Sequence, residues 1–141
     1  MCGTSTGVVH VFVTDTAGNI KRQLTHTGGW NCDPSWSSDG AKIAWLYQVN
    51  NTGWGNAGVW LIKVMTSTGA NQSFVINDTQ INSKPAWSND GTKLYFHRMA
   101  PLETAKCRLF TIKPDGTALT EIAPFGAATD SSVGNITYPQ N

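Results

Sequence analysis

The sequence predicts an all-β fold assembled from repeated four-stranded antiparallel sheets, and three observations carry that expectation. First, PSWSSDGAKIAWLY at 34–47 recurs as PAWSNDGTKLYFHR at 85–98, with Pro34 and Pro85, Trp36 and Trp87, Asp39 and Asp90, and Gly40 and Gly91 each 51 residues apart. Second, a different pattern interleaves with it: VFVTDTAG at 11–18, IKVMTSTG at 62–69 and LFTIKPDG at 109–116, whose closing glycines are spaced by 51 and 47 residues. Third, the segments are short, rich in β-branched and aromatic residues, and separated by Gly-containing turns. A period of roughly 40–50 residues made of such strands is the signature of a β-propeller blade.

The elements follow from the repeat, with the strands of a blade named a to d from the axis outward. The N-terminal segment reads as a c–d hairpin, VVHVFVT at 8–14 and IKRQLT at 20–25, a half-blade over 8–25. The first full blade, 33–77, has strand a at 34–36, b at 42–47, c at 59–65 and d at 71–76. The second, 84–123, has a at 85–87, b at 93–98, c at 108–112 and d at 118–123. The a–b turns SSDG and SNDG and the c–d turns TSTG and KPDG end in Gly, which takes positive φ without a Cβ clash, while Asp accepts local backbone bonds. A worn third copy of the a–b pair, SSVGNITYP within 127–139, puts Gly134 43 residues after Gly91. Together these make about three blades, one of them divided between the two ends of the chain.

The bulk composition agrees with one domain of this kind. Its 141 residues are enough to bury a core. Charged residues are 13% of the chain and the net charge is +1, so no electrostatic case exists for nucleic acid or an anionic membrane. No apolar run approaches membrane-spanning length. Met1 is followed at once by Cys2 and a polar GTSTG, so no secretion signal opens the chain, which reads as mature or trimmed.

The Pro-x-Trp-Ser-x-Asp-Gly core, present twice, followed by the LIKVMTSTG and LFTIKPDG strands, resembles the TolB-like propeller repeat, a relative of the WD-type blades. The resemblance spans residues 8–123; the third copy departs from it, lacking the Trp and carrying Val133 in place of Asp. It implies a six-bladed ring, a periplasmic or extracellular location and a role as a protein-interaction platform. Propellers close with about four to eight blades. Three blades in one chain therefore call for closure by a second copy, either as a homodimer forming a six-bladed ring or as a head-to-tail filament.

The repeated residues read as structural. Trp36 and Trp87 are expected to be buried between neighbouring sheets, because residues that recur at equivalent positions usually serve the repeat interface. Asp39, Asp90 and Asp115 sit in xDG turns rather than in a calcium loop with alternating carboxylates. His10, His26 and His97 lack zinc spacing. Cys2, Cys32 and Cys107 form no CxxC pair, and buried inert thiols are the expectation. No nucleophile elbow, phosphate loop or spaced carboxylate pair occurs, so no catalytic residue, cofactor or metal is assigned. The sequons at Asn50, Asn71, Asn77 and Asn135 are explained by a chain rich in Asn, Ser and Thr.

The loops depart from the repeat. The b–c loops QVNNTGWGNAG (48–58) and MAPLETAK (99–106) and the d–a loop HTGGWNCD (26–33) emerge on one face. That face gathers Trp30, Trp54, Asn51, Asn56, Arg98, Glu103 and Lys106. Flat Trp rings edged by Asn and charged groups suit a protein surface or a glycan; alternatively, Trp30 and Trp54 fold back as plugs over the blade ends. The function expected is a non-catalytic interaction or assembly module whose partner is another copy of itself, another protein or a glycan. The alternatives are a carbohydrate-binding module using the loop tryptophans, or a fragment of a larger propeller enzyme.

Overall fold

A computed structural model of the chain describes residues 2–5, 8–48, 59–99 and 107–123. The expected half-blade at 127–139, and all but the first residue of the b–c loops at 48–58 and 99–106, lie outside them. The described residues form eleven strands and no helix: β1 (Cys2–Ser5), β2 (Val8–Thr14), β3 (Ile20–Gln23), β4 (Trp30–Trp36), β5 (Lys42–Gln48), β6 (Leu61–Thr66), β7 (Ser73–Ile76), β8 (Ile81–Trp87), β9 (Leu94–Met99), β10 (Cys107–Ile112) and β11 (Thr120–Ala123). Two four-stranded antiparallel meanders, β4–β7 and β8–β11, form a middle and a third unit.

Two assignments differ from the sequence reading. The N-terminal segment is more than a c–d hairpin, because β1 pairs antiparallel with β2 from Cys2↔Val11 to Ser5↔Val8. It occupies the slot that β5 occupies beside β6, though only over this short stretch. The inner strands β4 and β8 also begin about one turn of sequence early, at Trp30 and Ile81. They run through a bulge: pairing skips between Cys32 and Ser35 in β4 and between Ser83 and Ala86 in β8. Asp33 and Lys84, each just before the repeated proline, take left-handed φ values of 47° and 49°. The bulge hides the first half of the strand from a reading based on alternation.

The units stack through two apolar layers. Val11, Leu24, Ile43, Trp45 and Met65 fill the space between the N-terminal and middle units. A larger cluster with Leu46, Trp60, Ile62, Val75, Trp87, Leu94, Phe96 and Ile112 lies between the middle and third units. Inside these layers, one polar device repeats. Asn31 and Asn82 are both 1% exposed. The Asn31 amide donates to the Val9 carbonyl of the preceding unit at 3.0 Å and its oxygen accepts from Trp45 Nε1 at 3.0 Å. Fifty-one residues on, Asn82 donates to the Trp60 carbonyl at 2.7 Å and accepts from Arg98 Nε at 3.0 Å. Single parallel bridges, Val9↔Trp30 and Trp60↔Ile81, mark the same junctions.

Outside the core, the turns behave as the sequence implies. Ser37 and Ser88 donate to Asp39 and Asp90 at 2.6 Å, and those carboxylates accept from the amides of Ala41 and Thr92 at 3.0 Å. The bonds from Ser88 and Thr92 hold Asp90 down at about 2, so this turn keeps its charge deep into acid. The c–d turns meet the preceding unit closely. A Cβ on Gly116, at φ +85°, would lie 3.0 Å from the Val75 carbonyl oxygen, and one on Gly69, at φ +89°, 3.2 Å from that of Leu24. Only Gly satisfies both the backbone conformation and the approach.

The expectation for the repeated tryptophans holds for one and fails for the other. Trp87 is 9% exposed and its Nε1 donates to the Ser35 carbonyl of the middle unit's inner strand at 3.1 Å. Trp36 is 48% exposed. Its environment would have to come from an inner strand of the N-terminal unit, and among the described residues that unit has none.

The asparagine device yields the first prediction. Asn82→Ala leaves the Trp60 carbonyl with only the Asn82 backbone N–H at 3.3 Å and takes the acceptor from Arg98 Nε, so it should cost about 1–3 kcal/mol. Urea unfolding measures this; a loss within error of zero would mean that the amide is replaceable by water.

Candidate functional site

The candidate face lies where the ends of β5 and β9 meet the d–a connections. Trp30, expected on a loop, is the first residue of β4, half-buried and packed against the main core. Gln48, paired with it across the sheet, is 1% exposed, and among the described residues neither of its amide atoms has a hydrogen-bond partner. Arg98, at the end of β9, is held on all sides. Its Nη2 donates to Asp78 at 2.6 Å, its Nε to Asn82 at 3.0 Å, and its Cζ lies 5.6 Å and 5.3 Å from the Phe96 and Phe110 ring centroids. Trp54, Asn51, Asn56, Glu103 and Lys106 lie outside the described residues, so of the expected set only Trp30 and Arg98 can be located, each with its own partners.

Arg98 belongs to a pattern that motif reading missed. In the middle unit, the cation sits on a different strand. Lys63 of β6 is 9% exposed, with Nζ 5.3 Å from the Trp45 ring centroid, 4.9 Å from Tyr47 and 4.8 Å from Phe74. By the repeat, Tyr47 corresponds to Arg98 and Lys63 to Phe110. The two units thus hold the same cation–aromatic stack with its members exchanged between neighbouring strands. Burial lowers the Lys63 pKa, and the ring faces offset part of its desolvation. A signal existed in the sequence, a Lys at the centre of the apolar run LIKVM, but it shows only when the copies are aligned strand by strand.

A second polar group lies along the inner strands. Asp33 and Lys84 occupy equivalent bulge positions, and His97 pairs with Ser83 beside Lys84. Burial raises the Asp33 carboxyl, an effect that Lys84 partly offsets. Burial and then Lys84 lower His97, whose buried Nε2 has no hydrogen-bond partner among the described residues. This is one carboxylate, one ammonium and one imidazole biased to its neutral form, a set able to hold a polar group. Among the described residues, no three His, Cys, Asp or Glu side chains gather as a metal site. Cys32 is buried in the core and Cys107 is exposed.

With this geometry in hand, the fold can be placed among known structures. The sequence matches no protein-family profile and no curated protein. The fold does match. A protein assigned as TolB from Agrobacterium tumefaciens superposes with a TM-score of 0.61 at 19% identity, over 82% of this chain and 37% of that one. TolB from Acinetobacter baumannii gives 0.61 at 17% identity, over 84% and 27%. One of two prolyl endopeptidases studied for inter-domain dynamics gives 0.53 at 15% identity, over 82% and 18%. The chain has a TolB-like β-propeller fold. It spans little more than a third of the Agrobacterium protein's length and less of the others.

Two predictions follow from these side chains. The exchanged stack should be transferable: Arg98→Tyr and Phe110→Lys should each destabilise, while the double variant should be more stable than their sum by about 0.5–3 kcal/mol. Additivity in a double-mutant cycle would show that the stacks are independent of their strand positions. For Asp33, burial opposes its ionised form, so its penalty is absent in acid and appears as pH rises through the carboxylate range. Asp33→Asn, which also tolerates left-handed φ, should raise the melting temperature at pH 7, and the gain should shrink as pH falls towards the ordinary carboxylate value and be gone below about pH 4.

Proposed function

We propose that this chain is a non-catalytic protein-interaction module of the TolB-like propeller type whose first partner is a second copy of itself. One observation carries the reading: among the described residues, the N-terminal unit has fewer strands than its neighbours. Its β2 has β1 on the inner edge only from Val8 to Val11, and among the described residues nothing lies inside β1. The middle and third units each have four strands. A bare sheet edge with apolar faces favours association. The a–b half-blade read at 127–139 would supply the inner strand and the start of the next one, the part that β1 leaves open opposite Phe12–Thr14. Two copies joined in this way would make six blades, as a ring or, without closure, as a filament. The TolB-like resemblance favours reading such a module as periplasmic or extracellular, where the loop face would meet a further protein or a glycan.

A second reading has its own support, since the structures that match are longer than this chain: these residues are one segment of a larger propeller protein, which would supply the missing strands itself. Sedimentation separates the two. Self-association predicts a mass of twice 15.2 kDa, or a series of multiples, at micromolar concentration, lost on deleting residues 127–141. A stable monomer of the intact chain would overturn the first reading.

A further inference from the structure

The repeat identifies the point at which a second copy would be gripped. Trp87, at the end of β8, is buried because the preceding unit's inner strand lies against it and offers the Ser35 carbonyl to its indole N–H at 3.1 Å. The same junction is tied by Ser38 Oγ donating to the Asn89 carbonyl at 2.7 Å, turn to turn. Trp36 ends β4 at the equivalent position 51 residues earlier, in the same Pro-x-Trp-Ser core. No inner strand precedes it among the described residues, and it stands 48% exposed. The other contacts of this junction are already made. Asn31 is bonded to Val9, Trp30 bridges to Val9, and Leu24 packs with Ile43 and Trp45. These contacts dock the middle unit on its predecessor, while the Trp36 end is left exposed among the described residues.

We infer that Trp36 is the anchor for an inner strand donated by a second copy of this chain, with its indole N–H donating to a backbone carbonyl of that strand. The inference rests on the self-association reading and adds the residue that fixes the register. The donor is chosen by the repeat. Aligning SSVG at 131–134 with SSDG at 37–40 places the counterpart of Ser35 at Thr129. The accepting carbonyl would thus be that of Thr129 of the second copy, a residue outside the described ones. A backbone acceptor makes the contact tolerant of the third copy's worn sequence, since any residue offers the same carbonyl.

The test is complementation. Trp36→Ala, at an exposed position, should fold normally yet self-associate at least about 30-fold more weakly, the scale of a buried interfacial tryptophan. Trp36→Phe keeps a ring but loses the donor, and should fall between the two. A chain lacking residues 127–141 should also be monomeric. Mixing it with the Trp36→Ala chain should restore a one-to-one pair, because the first keeps the anchor and the second keeps the donated strand. In 5-fluorotryptophan-labelled protein, the 19F resonance assigned through Trp36→Phe should move on association. If the intact chain associates and Trp36→Ala associates equally well, or the Trp36 resonance does not move, the anchor assignment fails and self-association stands. If the intact chain remains monomeric throughout, both fail.

Discussion

A side-chain amide buried between sheets is the constraint on which the stacking depends. An apolar layer alone would let one unit slide over another, because hydrophobic burial is non-directional. Asn31 and Asn82 remove that freedom. Each amide must bond once it is 1% exposed, and it does so with a carbonyl of the preceding unit on one side and a side chain of its own unit on the other. Losing either partner would strand a buried polar group, so a displaced register is penalised even where the apolar contacts remain favourable. The tryptophans, turns and cation stacks are arranged around junctions indexed by these amides.

The cation–aromatic stacks show how much such a junction can vary without changing shape. The space between strands b and c accepts a charged stem from either side, provided that the opposite position supplies a ring. In the middle unit, the charge comes from Lys63 and is left to the ring faces, with its pKa lowered by burial. In the third unit, it comes from Arg98, whose planar fork also reaches Asp78 and Asn82. Arg suits that second role because its donors are fixed in a plane and can serve a carboxylate and an amide together. The residue that looked, in sequence, like a member of a recognition surface is engaged by the fold.

Strand-level architecture was legible in the chain because the PxWSxDG core and the glycine-ended hairpins carry their own geometry. The bulges were not: Asp33 and Lys84 interrupt the alternation that marks a strand, so Trp30 read as a loop residue although it opens β4. The asparagine junctions were hidden for a different reason. Asn is a turn residue by composition, and only its burial and its partner in another unit reveal its role. Trp36 and Trp87 look identical in sequence, and their difference lies wholly in what precedes them. Repetition describes a unit; it does not say which copies have a neighbour. Of the loop face, Trp30 and Arg98 can be placed, and both are held within the packing.

The close approach of Gly69 and Gly116 to the carbonyls of Leu24 and Val75 has a geometric consequence. These contacts lie at the outer edge of the stack, far from the inner strands that meet at Trp87. The separation at the rim, set against the separation at the hub, fixes the wedge angle by which each unit turns from the last. A hydrogen in place of a side chain brings the rim close and keeps that wedge narrow. Any larger residue there would pry the rim open and widen the angle, and a wider angle leaves room for fewer units in a full circle. Two hydrogen atoms on surface turns thus help to set how closely neighbouring units approach at the rim.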